Sequence, residues 1–225
     1  MSSSLFPRPS PYHLLHRNPN LKTLAPPRLR CRPSAISAAT SDLEAPPQES
    51  SGVEESVRVL KNAAKTRKVP PAEVLSALAN VKKGKVEPTS FLETLGGTES
   101  PGRTWMLIFT AQGKLEKGRY FPLTAVQRFD AAGKRIENGV YLGPIGCLTF
   151  EGKFSWKNRI LAFIFESVCI KVGPFGPLQI SLGGEDREPN TKDPFFIWFY
   201  IDEEIAVAQG RGGGIAFWCR CRRVT

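Results

Sequence analysis

The chain has 225 residues, with 31 lysines and arginines against 21 acidic residues, a net charge of +10, and 41% hydrophobic residues. Its two histidines, His13 and His16, both lie near the start, so a mature chain cut beyond them would have no imidazole for a Ser–His or Cys–His pair, a His-ligated zinc site or a proximal haem ligand. No P-loop, G-x-S-x-G elbow or Rossmann fingerprint is present, and the five cysteines are too few and too dispersed for a disulfide scaffold.

The first 41 residues contain no Asp or Glu but carry Arg8, Arg17, Lys22, Arg28, Arg30 and Arg32 among serines and prolines. That composition predicts an organelle transit peptide, of chloroplast type, over residues 1–40, cut between Cys31 and Thr40. The alternative is a disordered basic tail kept in the mature protein. A secretory signal would need an apolar h-region, and none follows the basic start. Without those six residues the chain has 25 basic and 21 acidic residues, a net charge of +4. The basic excess therefore reads as an import address, and no nucleic-acid partner is expected.

Residues 41–52 read as a disordered linker rich in Ser, Pro and Glu, and residues 53–90 as a helical pair. The first helix, Val53 to Lys68, places Val53, Val57, Leu60 and Ala64 on one stripe, with acids in its first turn and basic residues in its last. Pro70-Pro71 ends it, and Pro71 suits the first turn of a second helix with Val74, Leu75, Leu78 and Val81 as its stripe. Both stripes are narrow, which predicts docking on a larger body or, alternatively, a helical-hairpin partner site.

Over residues 91–225 the period becomes two, and the expected fold is mainly β. In Cys147 to Lys157, the residues Leu148, Phe150, Phe154 and Trp156 share one face. Further strands are predicted at Arg103–Thr110, Arg119–Asp130, Arg135–Leu142, Arg159–Val172, Leu178–Leu182, Phe195–Ile201, Glu204–Gln209 and Ile215–Arg222, separated by Gly- and Pro-containing turns. Short strands with tight connections predict a closed antiparallel barrel, with a sandwich as the alternative. Arg159–Lys171 and Phe195–Ile201 are apolar on both faces, so each needs a lumen on one side and a cover on the other. The N-terminal helices, a membrane surface or a partner protein would each provide that cover. No apolar run approaches the ~20 residues of a spanning helix. Cys219 and Cys221 form C-x-C on the face of Ile215 and Phe217, which favours buried thiols over a redox or metal pair.

Two segments resemble the plastid lipid-associated proteins, or fibrillins. Gly102-Arg103-Thr104-Trp105-Met106-Leu107-Ile108-Phe109-Thr110 is similar to that family's first barrel strand. Tyr200-Ile201-Asp202-Glu203-Glu204-Ile205, Val207 and Gly210-Arg211-Gly212-Gly213-Gly214 resemble its C-terminal hairpin. Where the family carries arginines near that hairpin, this chain has Ala206 and Gln209, with Arg211 as a substitute from the other side of Gly210. The resemblance spans about Phe91 to Cys221. It implies that the domain preceded by the two short α-helices is a lipocalin-like antiparallel β-barrel that handles prenylquinones or carotenoids at the surface of thylakoids or plastoglobules.

The apolar faces bearing Trp105, Leu107, Phe109, Phe150, Phe154 and Trp156 either line a cavity for such a ligand or fill the lumen as core. Asp202 is expected at the barrel mouth, as a turn cap or a ligand contact, and Arg211 is a further candidate ligand contact. Gly210 to Gly214 reads as a hairpin turn more than an anion nest or an RNA-binding element. Arg220, Arg222 and Arg223 would meet lipid headgroups or solubilise an edge strand.

The reading is of a non-enzymatic protein without a metal or cofactor, holding a hydrophobic small molecule or lipid on a plastid membrane. The alternative is a barrel scaffold or assembly factor for a photosynthetic complex. An enzyme would need Asp202 or Glu166 to face the cavity.

Overall fold

A computed structural model of the chain describes residues 49–84, 86–183 and 186–222. The expected transit peptide and the start of the linker lie outside the described residues. The first helix, α1, spans Glu49–Thr66, so it takes in the end of the segment expected as linker and stops two residues before Lys68. Pro70 leads into α2, Pro71–Lys83; a proline at this position costs no helical hydrogen bond because its N–H would lack a partner anyway. The ten strands that follow are β1 Arg103–Ala111, β2 Gly118–Tyr120, β3 Thr124–Asp130, β4 Arg135–Tyr141, β5 Gly146–Lys157, β6 Ile160–Val172, β7 Leu178–Ser181, β8 Phe195–Ile201, β9 Ile205–Gly210 and β10 Ile215–Cys221.

All ten belong to one antiparallel sheet that closes into a ring. Around it run β1, β3, β4, β5, β6, β8, β9 and β10, and β10 returns to pair with β1 from Thr104↔Cys221 to Ala111↔Ile215. The short strands β2 and β7 add to β1 and β6 at their far halves. β10 is therefore not an edge strand, which corrects the expectation for its arginines. Arg220 pairs with Glu203, and Arg223 lies outside the described residues.

The predicted strand Arg119–Asp130 is two strands. Pro122 has no N–H to give a ladder, and Phe121 instead donates its amide to Ile108 O at 2.8 Å. A third helix, α3 at Phe91–Gly96, was not expected, since six residues carry too little periodicity to announce themselves.

Two apolar clusters divide the molecule. One lies outside the ring, where Val57, Leu60 and Ala63 of α1 and Val74, Leu78 and Val81 of α2 pack on Phe109, Val207, Ile215 and Phe217. The helices are thus the cover that the doubly apolar β8 requires, with Phe199 and Tyr200 beneath them. The Tyr120 hydroxyl donates to Val69 O at 2.8 Å and Arg67 to Phe121 O at 2.8 Å, fixing the α1–α2 connection to the sheet. Cys219 packs into the same cluster; burial pushes its thiol up, and burial with Cys219 beside it pushes Cys221 up to about 11, so neither is a ready thiolate.

The second cluster fills part of the lumen and is sealed at one end by α3. Phe91 and Leu95 insert among Trp105, Phe129, Leu161 and Trp198, and the Trp105 indole donates to Leu95 O at 2.7 Å. Gly96 is needed at this seal, because a Cβ there would sit 2.8 Å from the Ala131 nitrogen.

Candidate functional site

Which side chains reach the lumen depends on bulges as much as on alternation. The β1–β10 register shifts between Leu107 and Phe109. Trp105 and Leu107 face inward, but the extra residue turns Phe109 outward with Ile108, under the helices. Phe109 is therefore not a lumen residue, contrary to the simple period-two reading. A second shift, between Trp198 and Tyr200 of β8, keeps Phe196 and Trp198 inside and puts Phe199 and Tyr200 outside. A third leaves Glu166 unpaired on β6 opposite Gly152, where a Cβ would meet Ile164 O at 1.9 Å.

The lumen is filled at the α3 end and hollow at the other. Trp105, Phe129, Ile136, Phe154, Leu161 and Trp198 occupy the filled half, so Trp105 and Phe154 are core there, and Trp156 packs at its margin. Toward the end where β4 turns into β5, a partly open cavity of about 400 Å³ is bounded by Leu107, Phe150, Phe165, Phe196 and Trp218, with Ala125 and Ala216 supplying the room. Of the predicted residues, the structure brings Leu107 and Phe150 together at this cavity. It adds Phe165, Phe196 and Trp218, which belong to a chain of ring contacts that runs through Phe163: Phe150–Phe165 centroids are 5.4 Å apart, Phe165–Phe163 5.2 Å, Phe163–Phe196 5.3 Å and Phe196–Trp218 5.6 Å, the last edge to face.

Two polar side chains break this apolar wall. Gln127 and Asn138 face each other across β3 and β4 and both border the cavity. The signal was available in sequence: period two places Gln127 on the face of Ala125 and Phe129.

Asp202 lies at the opposite end, because β8 runs away from the cavity and Asp202 follows its last residue; this corrects its expected place at the mouth. It accepts backbone hydrogen bonds from Glu204 at 2.7 Å and Ile205 at 2.8 Å, the Tyr200 hydroxyl at 2.9 Å and the Lys61 ammonium at 2.9 Å. Burial works to raise this carboxyl, but the Ile205 amide, Lys61, the Glu204 amide and Tyr200 together hold it below the ordinary range. Burial and Asp202 push the Tyr200 hydroxyl up to about 12. Burial works to lower Lys61, yet Glu204 and Asp202 keep its ammonium well above the usual lysine value. The cluster fastens α1 to the β8–β9 turn.

The sign of its pH dependence follows. A depressed Asp202 contributes stability above its unfolded value of about 4 and loses it as pH falls further. A raised Lys61 contributes fully below its unfolded value of about 10.4. Asp202→Ala is therefore expected to cost about 1–3 kcal/mol at neutral pH and Asp202→Asn less, since the amide oxygen still serves the turn. Thermal denaturation at pH 7 and pH 3 checks this: the difference between wild type and Asp202→Ala shrinks at the lower pH.

Glu166 is ion-paired on the outside with Arg135 at 2.6 Å and Lys153 at 3.5 Å, and the Arg135 hydrogen bond leads in holding it ionised against burial. Neither Glu166 nor Asp202 borders the lumen cavity. The Gly210–Gly214 run is a hairpin turn, with Gly210 N–H to Gly214 O and Gly213 N–H to Gly210 O both at 2.8 Å. Gln209 closes it by donating to Gly213 O at 2.8 Å. Arg211 is exposed there, donating to Lys192 O, and does not border the cavity.

Two larger clefts, of about 600 and 580 Å³, are surface features: one lies between the β1–β2 and β9–β10 turns, the other beside Lys61 and Glu204. They lack the lumen's apolar walls. No helix among the described residues is long and apolar enough to cross a membrane.

No known protein family matches the chain, and no curated protein does. Among solved structures, the NMR structure of a protein from Burkholderia xenovorans is similar at 11% identity and a TM-score of 0.34, over 62% of this chain and 92% of that one. A likeness this slight bears on neither fold nor function.

Proposed function

We propose that the chain is a non-enzymatic binder of a hydrophobic isoprenoid, held in a lipocalin-like barrel at the surface of a thylakoid or plastoglobule. The observation that carries this reading is the aromatic-walled lumen cavity of about 400 Å³. It lies within the ~300–1,000 Å³ of ordinary small-molecule sites, whereas a scaffold has no need of a hollow core. At the ~20–30 Å³ per atom of condensed liquids, it holds roughly thirteen to twenty non-hydrogen atoms. That suits the head group and first isoprene units of a prenylquinone; a whole carotenoid is too large to be enclosed. The plastid location rests on the acid-free leader and on the resemblance to fibrillins.

The surroundings of the mouth support a membrane role. The large exposed apolar side chains lie before β3, on the β4–β5 turn and along the β6–β7 hairpin, all toward the cavity end; Ile145 is 67% exposed and Phe175 72%. Exposed Lys117, Arg119 and Lys171 accompany them. An apolar rim with a basic surround fits an anionic lipid surface, where a water-insoluble ligand would enter and leave. The same rim favours the second reading, a scaffold for a photosynthetic complex, whose partner would cover it.

The test uses anionic vesicles loaded with a prenylquinone. The protein is expected to float with them and to lose tryptophan fluorescence as the quinone reaches the lumen beside Trp218. Flotation without quenching would leave a membrane protein with an unused lumen, and neither effect would turn the reading to the scaffold.

A further inference from the structure

Four buried polar side-chain atoms among the described residues have no hydrogen-bond partner: Gln127 Oε1, Asn138 Oδ1, Trp198 Nε1 and Trp218 Nε1. Three of them belong to residues that border the lumen cavity. Buried polar groups in native proteins are nearly always paired, because the loss of their hydration is otherwise uncompensated. Trp105, in the filled half of the same lumen, follows the rule through Leu95 O. The unpaired atoms are thus concentrated where the lumen is hollow, on a wall that is otherwise apolar.

The set consists of two acceptors on the neighbouring strands β3 and β4 and one donor on β10, which lies beyond β1 in the ring. A hydroxyl group carries one donor and two acceptor lone pairs, so it can give its hydrogen to an amide oxygen and accept from an indole N–H. A ketone or quinone oxygen only accepts, and leaves both amide oxygens unserved. A hydrocarbon serves nothing. Rotating either amide by half a turn exchanges its oxygen for its nitrogen; a hydroxyl suits both orientations, and a carbonyl only one.

We infer that the cavity selects an apolar ligand with a hydroxylated head, whose O–H donates to the Gln127–Asn138 pair while a head-group oxygen accepts from Trp218. The chain would then hold the alcohol or phenol form of an isoprenoid more tightly than the ketone, quinone or hydrocarbon form, which still bind through the apolar walls. This rests on the lumen being a ligand site, as proposed above. Sites built to hydrogen-bond a hydroxyl discriminate strongly against analogues without it, because the site's own groups are then left unpaired.

Three probes of one size and shape separate the possibilities: farnesol, farnesal and farnesene, titrated against the purified chain by tryptophan fluorescence. Farnesol is expected to bind about tenfold or more tightly than either of the others, as one recovered buried hydrogen bond allows. In Gln127→Leu/Asn138→Leu the preference over farnesal is expected to shrink to about twofold or less, with farnesene binding no worse. Trp218→Phe keeps the ring and removes the N–H, and is expected to weaken farnesol and farnesal while sparing farnesene, so the inference stays testable if the double variant does not fold. Equal affinity of the wild-type chain for all three overturns the inference and leaves the lumen reading standing. Failure to bind any of them, together with failure to bind a prenylquinone, overturns both.

Discussion

Trp105→Ala is expected to be the most destabilising single change, at about 3–5 kcal/mol. The indole is fully buried, and its removal opens a void between β1 and α3 while leaving the Leu95 carbonyl without its donor. For a chain of this size such a loss lowers the melting temperature by roughly 6–20 °C. Trp105→Phe keeps most of the packing and isolates the hydrogen bond, for about 1–2 kcal/mol. Circular dichroism melting of the three proteins measures both quantities. A loss below about 1 kcal/mol for Trp105→Ala would mean that α3 does not seal the ring.

Ala125→Trp is expected to abolish ligand binding with little effect on stability. Ala125 faces Val140 across β3 and β4, one row inside the rim, and its small side chain is part of what leaves the cavity hollow. An indole there occupies the space a ligand needs, and filling a hollow site costs less than overpacking a full one. The affinity for a prenylquinone is expected to fall by at least about tenfold while stability changes by less than about 1.5 kcal/mol. Unchanged affinity would place the ligand elsewhere, with the surface cleft of Thr110, Lys117 and Arg119 as the next candidate.

The contrast between these two positions shows what the sequence could convey. Alternation in β5 placed Phe150 and Phe154 inward, and the helical stripes at Val57, Leu60, Val74 and Leu78 announced a docked pair. The glycine-bearing turns separated most strands correctly. What alternation could not convey was the set of bulges. One extra residue in β1 sends Phe109 to the helices, and another in β8 puts Phe199 and Tyr200 on one side. A bulge leaves the composition of a strand unchanged while reversing the faces beyond it.

Whether the lumen is filled or hollow was also hidden in pairwise detail. Trp105, Phe129 and Trp198 crowd one half, while Ala125 and Ala216 stand at equivalent inward positions in the other. Each strand taken alone is simply apolar. Gln127 and Asn138 were legible as polar intruders on an inward face, but their pairing depended on the β3–β4 register. Asp202 stood out as an acid between strands, and its role became plain only when α1 delivered Lys61 to it at 2.9 Å.

The most direct test of a ligand-filled lumen is mass spectrometry of small molecules extracted from the chain after gentle isolation from its native tissue. The account predicts close to one isoprenoid per chain, bearing a hydroxyl, and its loss from Ala125→Trp. A wild-type chain free of lipid, eluting with a defined protein complex, would contradict the account and make the apolar rim a protein interface.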